Sequence, residues 1–344
     1  MAGVILLSSD HARIVREARP GESWAQAEAR LNGKRIQDQA RPGESWQELN
    51  ARRREVVASK NAEEVELVDC FISADGISIK DCRHFMDVAL FRMSKKEKRA
   101  GEVIRYNLVD GYVEVKAGPD GMATIWDYDI VLMLVSHLTE SMNRFKNGRG
   151  AMPGRIFTMH VSDVLKFSQR GDGGGQSERV ESALDRLKGT IVKSVFSRTV
   201  HKGKLIMREV KSESLISGYR VLSVTGIGRV DRVEIEVPNW IYSQVTRSPR
   251  SAVLTVSPEF FLIESALGRF VYRLARRAAG NDKARWGFRT IYERSGITRF
   301  KEFCRSLRKL IKLNNLPEYE LREEAGQSGP QLLMTRRGWD SGCG

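Results

Sequence analysis

An α+β fold in which one small module is used twice is what this sequence predicts, and three observations carry it. A helix, a short strand, a short helix, a glycine-rich loop, a third helix and paired strands follow one another through residues 127–237. The same order, with a turn in place of the loop, returns through 257–335, and apolar spacing switches between helical and strand periods at each step. The third observation is charge: 57 Lys+Arg against 43 Asp+Glu give a net +14, with 14 cations and only 4 acids between Glu264 and Lys312. A protein this basic meets a polyanion, and nucleic acid is the first candidate.

The 344 residues allow two domains and a tail at about 150 residues per domain. With 41% hydrophobic and 29% charged residues, the chain can bury a core. The opening apolar run, Val4-Ile5-Leu6-Leu7, is far shorter than a signal sequence or a membrane span. Cys70, Cys82, Cys304 and Cys343 form no CxxC pair, so neither a zinc ribbon nor a disulfide framework is indicated and the thiols read as buried, in a reducing cytoplasm. Cys70 and Cys82 with His84 lack a second ligand pair at finger spacing. No GxxxxGK[ST] loop occurs, and Gly226-Ile227-Gly228 reads as a strand-connecting turn. The five histidines form no HxH or HExxH pair, which leaves a metal-dependent nicking enzyme unsupported. No cofactor is expected.

Residues 1–62 read as an arm. Ala18-Arg19-Pro20-Gly21-Glu22-Ser23-Trp24 recurs 22 residues later as Ala40-Arg41-Pro42-Gly43-Glu44-Ser45-Trp46. Each copy offers a Pro-Gly break, a Ser N-cap and a short polar helix, with one tryptophan and too little apolar surface for a core. The expected arm is helical and partly disordered. From about Val65 the pattern becomes globular. Residues 107–116 alternate around Asp110-Gly111 as two short strands. Residues 127–142 form a helix with Ile130, Leu134, Leu138 and Met142 on one stripe, 155–159 a strand and 164–167 a short helix. Ser177 opens a third helix carrying Val180, Leu184, Leu187 and Ile191, and 190–196, 205–207 and 233–237 read as strands.

In the second pass, Ser257 with Pro258 at N1 starts a continuous helix through Phe260, Ile263, Leu267, Phe270 and Leu274. Trp286-Gly287-Phe288 supplies the strand, 289–294 a brief helix, Ser295-Gly296-Ile297 a turn and 299–313 the third helix. Residues 319–322 and 331–335 pair as a hairpin. This order is that of a winged helix-turn-helix, whose third helix enters the major groove and whose hairpin flanks the backbone. The expected domains are therefore 63–248 and 249–338, each a winged helix, followed by a disordered tail at 339–344.

The third helix of the second module carries the clearest chemistry. Phe300, Phe303, Leu307, Leu310 and Ile311 make its apolar face, while Lys301, Arg305, Arg308 and Lys312 form a stripe well round the cylinder from it. Arg299 and Lys309 flank that stripe. Long cations on an exposed helix face suit phosphate contact and bidentate guanine reading. In the first module Arg179, Ser182, Arg186 and Lys188 occupy the polar side of the third helix, diluted by Glu178, Glu181 and Asp185. Lys202 and Lys204 sit at the expected wing tip.

Five stretches carry a family resemblance. They are 121–130 (GMATIWDYDI), 183–190 (ALDRLKGT), 233–240 (VEIEVPNW), 267–275 (LGRFVYRLA) and 300–316, ending in Asn314-Asn315-Leu316 before Pro317. In order and spacing they resemble the plasmid replication initiator protein A family, over roughly 85–325. The resemblance implies an initiator that binds direct repeats (iterons) in double-stranded DNA at a plasmid origin. It also implies help in opening the duplex, recruitment of host replication proteins (an initiator or the replicative helicase), and exchange between a homodimer and a DNA-bound monomer. Two other readings stand beside it. A winged-helix transcriptional repressor would bind an operator and start nothing, and a nucleic-acid enzyme would use the dispersed carboxylates Asp69, Asp75, Asp81 and Asp87. Two modules on one chain favour an asymmetric repeat over a repressor's palindrome, and the carboxylates lie in no catalytic motif.

Overall fold

The alternation on either side of Asp110 becomes an antiparallel pair. A computed structural model describes residues 77–94, 96–169, 176–200, 205–225, 230–247 and 252–338, all within one unit, Val68–Gly344. The duplicated arm with Trp24 and Trp46, the Gly226-Ile227-Gly228 turn and the tail at 339–344 lie outside the described residues. Strand β1 is Lys80–Cys82, β2 is Val103–Leu108 and β3 is Gly111–Lys116. Leu108 pairs with Gly111 across a two-residue loop, Val109 and Asp110. Gly111 is required by its neighbour: a Cβ there would fall 1.9 Å from the Val195 carbonyl oxygen.

Helix α1 (Tyr128–Lys146) is buried on every side along most of its length, Val131, Leu132, Met133 and Val135 as well as the Ile130–Leu134–Leu138 stripe. An all-round apolar helix belongs at a core's centre. Ser136 and Thr139 donate back to the carbonyls of Leu132 and Val135, both at 2.6 Å, which satisfies the hydroxyls there. Strand β4 (Ile156–His160), α2 (Val161–Phe167) and α3 (Gln176–Gly189) follow in the expected order.

The hairpin after α3 differs from expectation. Strands β5 (Ile191–Val200) and β6 (Leu205–Ser214) pair as read, but they join β2 and β3 in a four-stranded sheet of order β2-β3-β5-β6. The strand that pairs with β4 comes later. Strands β7 (Gly218–Val224) and β8 (Val230–Glu236) form a second hairpin, and the sheet order is β4-β8-β7. Periodicity marks strands but not partners. Here β5 buries Val192 and Ser194 on the face β3 supplies through Val113 and Val115.

After α4 (Asn239–Thr246) and β9 (Val253–Thr255), which pairs with β1, the expected single helix from Ser257 is broken. A 3-10 turn covers Pro258–Leu262, Ile263 is extended, and Ser265 caps a new helix, α5 (Ala266–Ala278), by accepting from Gly268 N at 3.2 Å. The break frees two carbonyls. Arg269 donates from Nε to Ile263 O at 2.8 Å and from Nη2 to Phe261 O at 2.9 Å.

The second module then follows its prediction closely: β10 (Lys283–Gly287), α6 (Phe288–Ser295), α7 (Phe300–Leu313), β11 (Tyr319–Gly326) and β12 (Gly329–Arg336). Its sheet order is β10-β12-β11, the order of β4-β8-β7. In each case the strand before two helices pairs antiparallel with the last strand of the hairpin after them. Gly296 ends α6 with φ +67°, and a Cβ on it would lie 2.7 Å from Tyr106 Oη of β2. Only glycine meets both demands.

Candidate nucleic-acid interface

Helix α7 lies on the core through Phe303, Leu307 and Leu310, with Phe300, Cys304 and Ile311 half-buried. Lys301, Arg305 and Lys312 project from the opposite side, exposed and with no ion pair among the described residues. The other three cations read from the sequence are placed differently. Arg299 pairs with Glu302 at 2.9 Å. Arg308 is clamped on the hairpin: its Nε and Nη2 donate to both Glu323 oxygens at 2.9–3.2 Å. Lys309 stands about 80° round the helix from Lys301 and rims a groove with Glu259, Glu264, Leu262 and Leu313.

One cation near this surface escapes a sequence reading. Arg289, exposed on α6, lays its guanidinium over the Phe300 ring, 4.4 Å from the centroid. Arg289 has no local signal, because its place is defined by a neighbour from another element. Arg322 of β11, paired with Glu320 at 2.9 Å, alternates with Glu323 and so lies on the strand face away from α7.

Helix α3 presents a different face. Val180, Ala183, Leu184 and Leu187 are buried, and Arg179, Ser182 and Lys188 are exposed. Arg179 and Lys188 lie about 180° apart on the cylinder, so they do not form one stripe. Glu181 and Asp185 lie between Lys188 and Ser182 on the outer face, and Asp185 accepts from Tyr219 Oη at 2.6 Å. Arg186 is not a free cation. It donates from Nε and Nη2 to Asp127 at 2.8 and 2.9 Å, and that bond raises its pKa. Lys202 and Lys204, the expected wing tip, lie outside the described residues.

The local excess of cations after Glu264 is also partly internal. Arg269 holds Asp129 at 2.9 and 3.0 Å. Arg273, fully buried, donates to Asp81 at 2.6 Å and to Tyr128 Oη at 3.3 Å, while Tyr128 donates to Asp81 at 3.0 Å. Arg277 and Arg294 both close on Asp87. Burial lowers the Arg277 pKa to about 10. Two of the four dispersed carboxylates are thus committed to arginines, and Asp69 and Asp75 lie outside the described residues. Cys82 is buried beside Asp81, and burial pushes its thiol well up, which keeps it protonated. His84 packs edge-on against Phe85 and Phe196, and burial pulls its pKa down.

These pairings give the quoted motifs a common place. Asp127, Tyr128 and Asp129 start α1, and each accepts from one arginine: Arg186 of the 183–190 stretch, then Arg273 and Arg269 of the 267–275 stretch. Thr190 adds a bond from Ala123 N to its Oγ1 at 2.8 Å. Three segments distant in sequence meet at one helix N-terminus, where carboxylates are favoured by the helix dipole. The motifs are a clasp.

Among the described residues no helix is long and apolar enough to cross a membrane, and no three His, Cys, Asp or Glu side chains gather as a metal site. A family described as Replication initiator protein A matches residues 80–321. A relative named "Putative replication protein", from Wigglesworthia glossinidia brevipalpis, is 28% identical over 275 residues, covering 78% of this chain and 93% of that protein. Among solved structures, domains 2 and 3 of RctB share the fold, with a TM-score of 0.53 at 9% identity over 74% of this chain and 98% of that one.

Proposed function

Because the chain belongs to the replication initiator protein A family, we propose that it binds repeated duplex sites at a replication origin through two winged-helix modules and acts there without catalysis. The observation that carries this reading is α7: Lys301, Arg305 and Lys312 exposed on the side opposite a buried apolar face. The equivalent strand orders β4-β8-β7 and β10-β12-β11, each enclosing two helices, support the pair of modules. In a winged helix the second of those helices is the reader.

The two modules contribute unequally in this reading. Helix α7 reads bases through Arg305 and holds the backbone through Lys301 and Lys312, while Arg289 extends the positive surface. Helix α3, with Glu181 and Asp185 on its outer face, makes few phosphate contacts, from Arg179 and Lys188 at its two flanks. One chain on one direct repeat, local opening of the duplex and recruitment of host replication proteins complete the function, in the cytoplasm.

Footprinting on the protein's own origin tests it. Protection of two successive major grooves within each direct repeat is expected. Protection confined to an inverted repeat would sink the initiator reading in favour of a repressor. Supercoiled origin DNA should remain unnicked; cleavage abolished by replacing one tyrosine or carboxylate would overturn the non-catalytic part.

A further inference from the structure

Two exposed apolar patches of opposite charge stand at the two ends of α1. The first is a groove of about 810 Å³ between the 3-10 turn, the start of α5 and the flank of α7. Leu262 and Leu313, 65% and 59% exposed, line it. Glu259 and Glu264 outnumber the one cation on its lining, Lys309. The groove is tied to the N-terminal end of α1, since Ile263 on its wall accepts from Arg269, which holds Asp129.

The second patch is the exit from the other end of that helix. Arg144, Lys146 and Arg149 are exposed there, beside Phe145 and Met152, themselves 39% and 45% exposed. Glu140 lines the same hollow as these three cations and is paired with Arg144 at 3.1 Å on the helix surface. Asp129 and Lys146 are separated by about 25 Å along α1 at 1.5 Å per residue. The patches of one copy are therefore held apart by a rigid helix.

We infer that the 144–152 segment of one copy docks in the Glu259–Leu262–Glu264–Leu313 groove of a second copy of this chain, head to tail. Exposed large apolar side chains rimmed by charge mark an interaction surface. The opposite signs of the two rims choose the partner and its direction, while the apolar contact supplies the affinity. A head-to-tail contact does not close on itself as a two-fold dimer does, so copies add in one orientation. Same-orientation repeats in DNA impose that arrangement; this consequence rests on the origin-binding reading, whereas the contact itself does not.

The test uses the full chain without DNA, by sedimentation velocity over a range of protein concentrations at low and high salt. The parent should associate beyond a dimer at low salt and dissociate as screening increases. Variants K146E/R149E and E259K/E264K should each fail to associate beyond a dimer, because each sets like charges against like. An equimolar mixture of the two should regain association, since each variant then meets an oppositely charged patch, and that recovery also shows both are folded. A parent that never exceeds a dimer, or a mixture that gains nothing, overturns the contact. So does a K146E/R149E protein that associates like the parent. If the parent stays monomeric and K146E/R149E instead weakens binding to a duplex of unrelated sequence, the segment is a DNA contact and the proposal is wrong.

Discussion

Arg186 closes on Asp127 through two parallel hydrogen bonds, Nε to Oδ2 at 2.8 Å and Nη2 to Oδ1 at 2.9 Å, across 59 residues of sequence. A cation that sequence spacing offers to DNA is thereby spent on fixing α3 to the start of α1. Arg186→Ala should cost about 2–3 kcal/mol of stability, the worth of charge-assisted bonds to a buried carboxylate, and leave the salt slope of DNA binding unchanged. Urea unfolding and a salt titration check it. Unchanged stability with a shallower slope would return Arg186 to the DNA surface.

The Arg273–Asp81 pair is enclosed completely, both side chains at 0% exposure. Removing one partner strands a charge in the core, so Asp81→Ala should lose about 3–5 kcal/mol. A double replacement, Asp81→Leu with Arg273→Met, should lose much less, because no buried charge remains. Equal losses in the single and double variants would mean that packing, not charge, holds this junction.

On α7 the exposed cations divide by role. Lys301→Ala or Lys312→Ala should weaken binding to all duplexes alike and flatten the log–log salt slope by about one unit per lost phosphate contact. Arg305→Ala should instead cost about 1–3 kcal/mol on the specific repeat and little on random DNA. Titration against specific and scrambled duplexes separates the two classes. If all three bind like the parent, α7 is not the reader.

The clamp on Arg308 gives a gain-of-binding test. Glu323→Gln removes the negative partner and leaves Arg308 free to reach a phosphate, so non-specific affinity should rise and the salt slope steepen by about one unit. The same pair has an acid limb. Arg308 holds the Glu323 carboxyl below its ordinary value of 4.5. A depressed carboxylate adds stability that is present above the unfolded value and is lost as pH falls through the folded one. The Arg308–Glu323 link should therefore persist at pH 5 and open only in stronger acid, which a pH series on parent and Glu323→Gln would follow.

His137 predicts a second acid sensitivity with a different window. It lies buried on α1, its Nε2 has no partner among the described residues, and burial lowers its pKa from 6.5 to about 3. Below pH 6.5 the unfolded chain takes a proton that the folded chain refuses, so stability falls as pH drops, by at most about 1.4 kcal/mol per unit. His137→Leu should flatten that part of the stability–pH curve between 6.5 and 4. A curve unchanged by the substitution would show that His137 is not the group responsible.

Much of the fold was legible because it rests on local periodicity. The second module's strand, helix pair and hairpin follow from apolar spacing, and Gly296 marks the turn because a φ of +67° and the approach of Tyr106 both require it. The broken helix at Ile263 was not legible. Its apolar residues continue a helical rhythm, and only Arg269, which needs the carbonyls of Phe261 and Ile263, turns the break to use.

The sequence by itself determined that the chain is basic, which segments from α1 to β6 and from β10 to β12 are helices and strands, that a module order recurs, and that α7 has a cationic face. Tertiary structure alone decided which cations remain free. Charge counts cannot distinguish Arg305, which stays exposed, from Arg186, Arg269, Arg273, Arg277 and Arg308, which close on Asp127, Asp129, Asp81, Asp87 and Glu323. Nor can periodicity assign β5 to the sheet of β3 and β8 to that of β4. The reason is the same in both cases. An ion pair or a strand pairing is a relation between residues 15 to 192 positions apart here, and local spacing records what a residue is, not what the folded chain brings beside it.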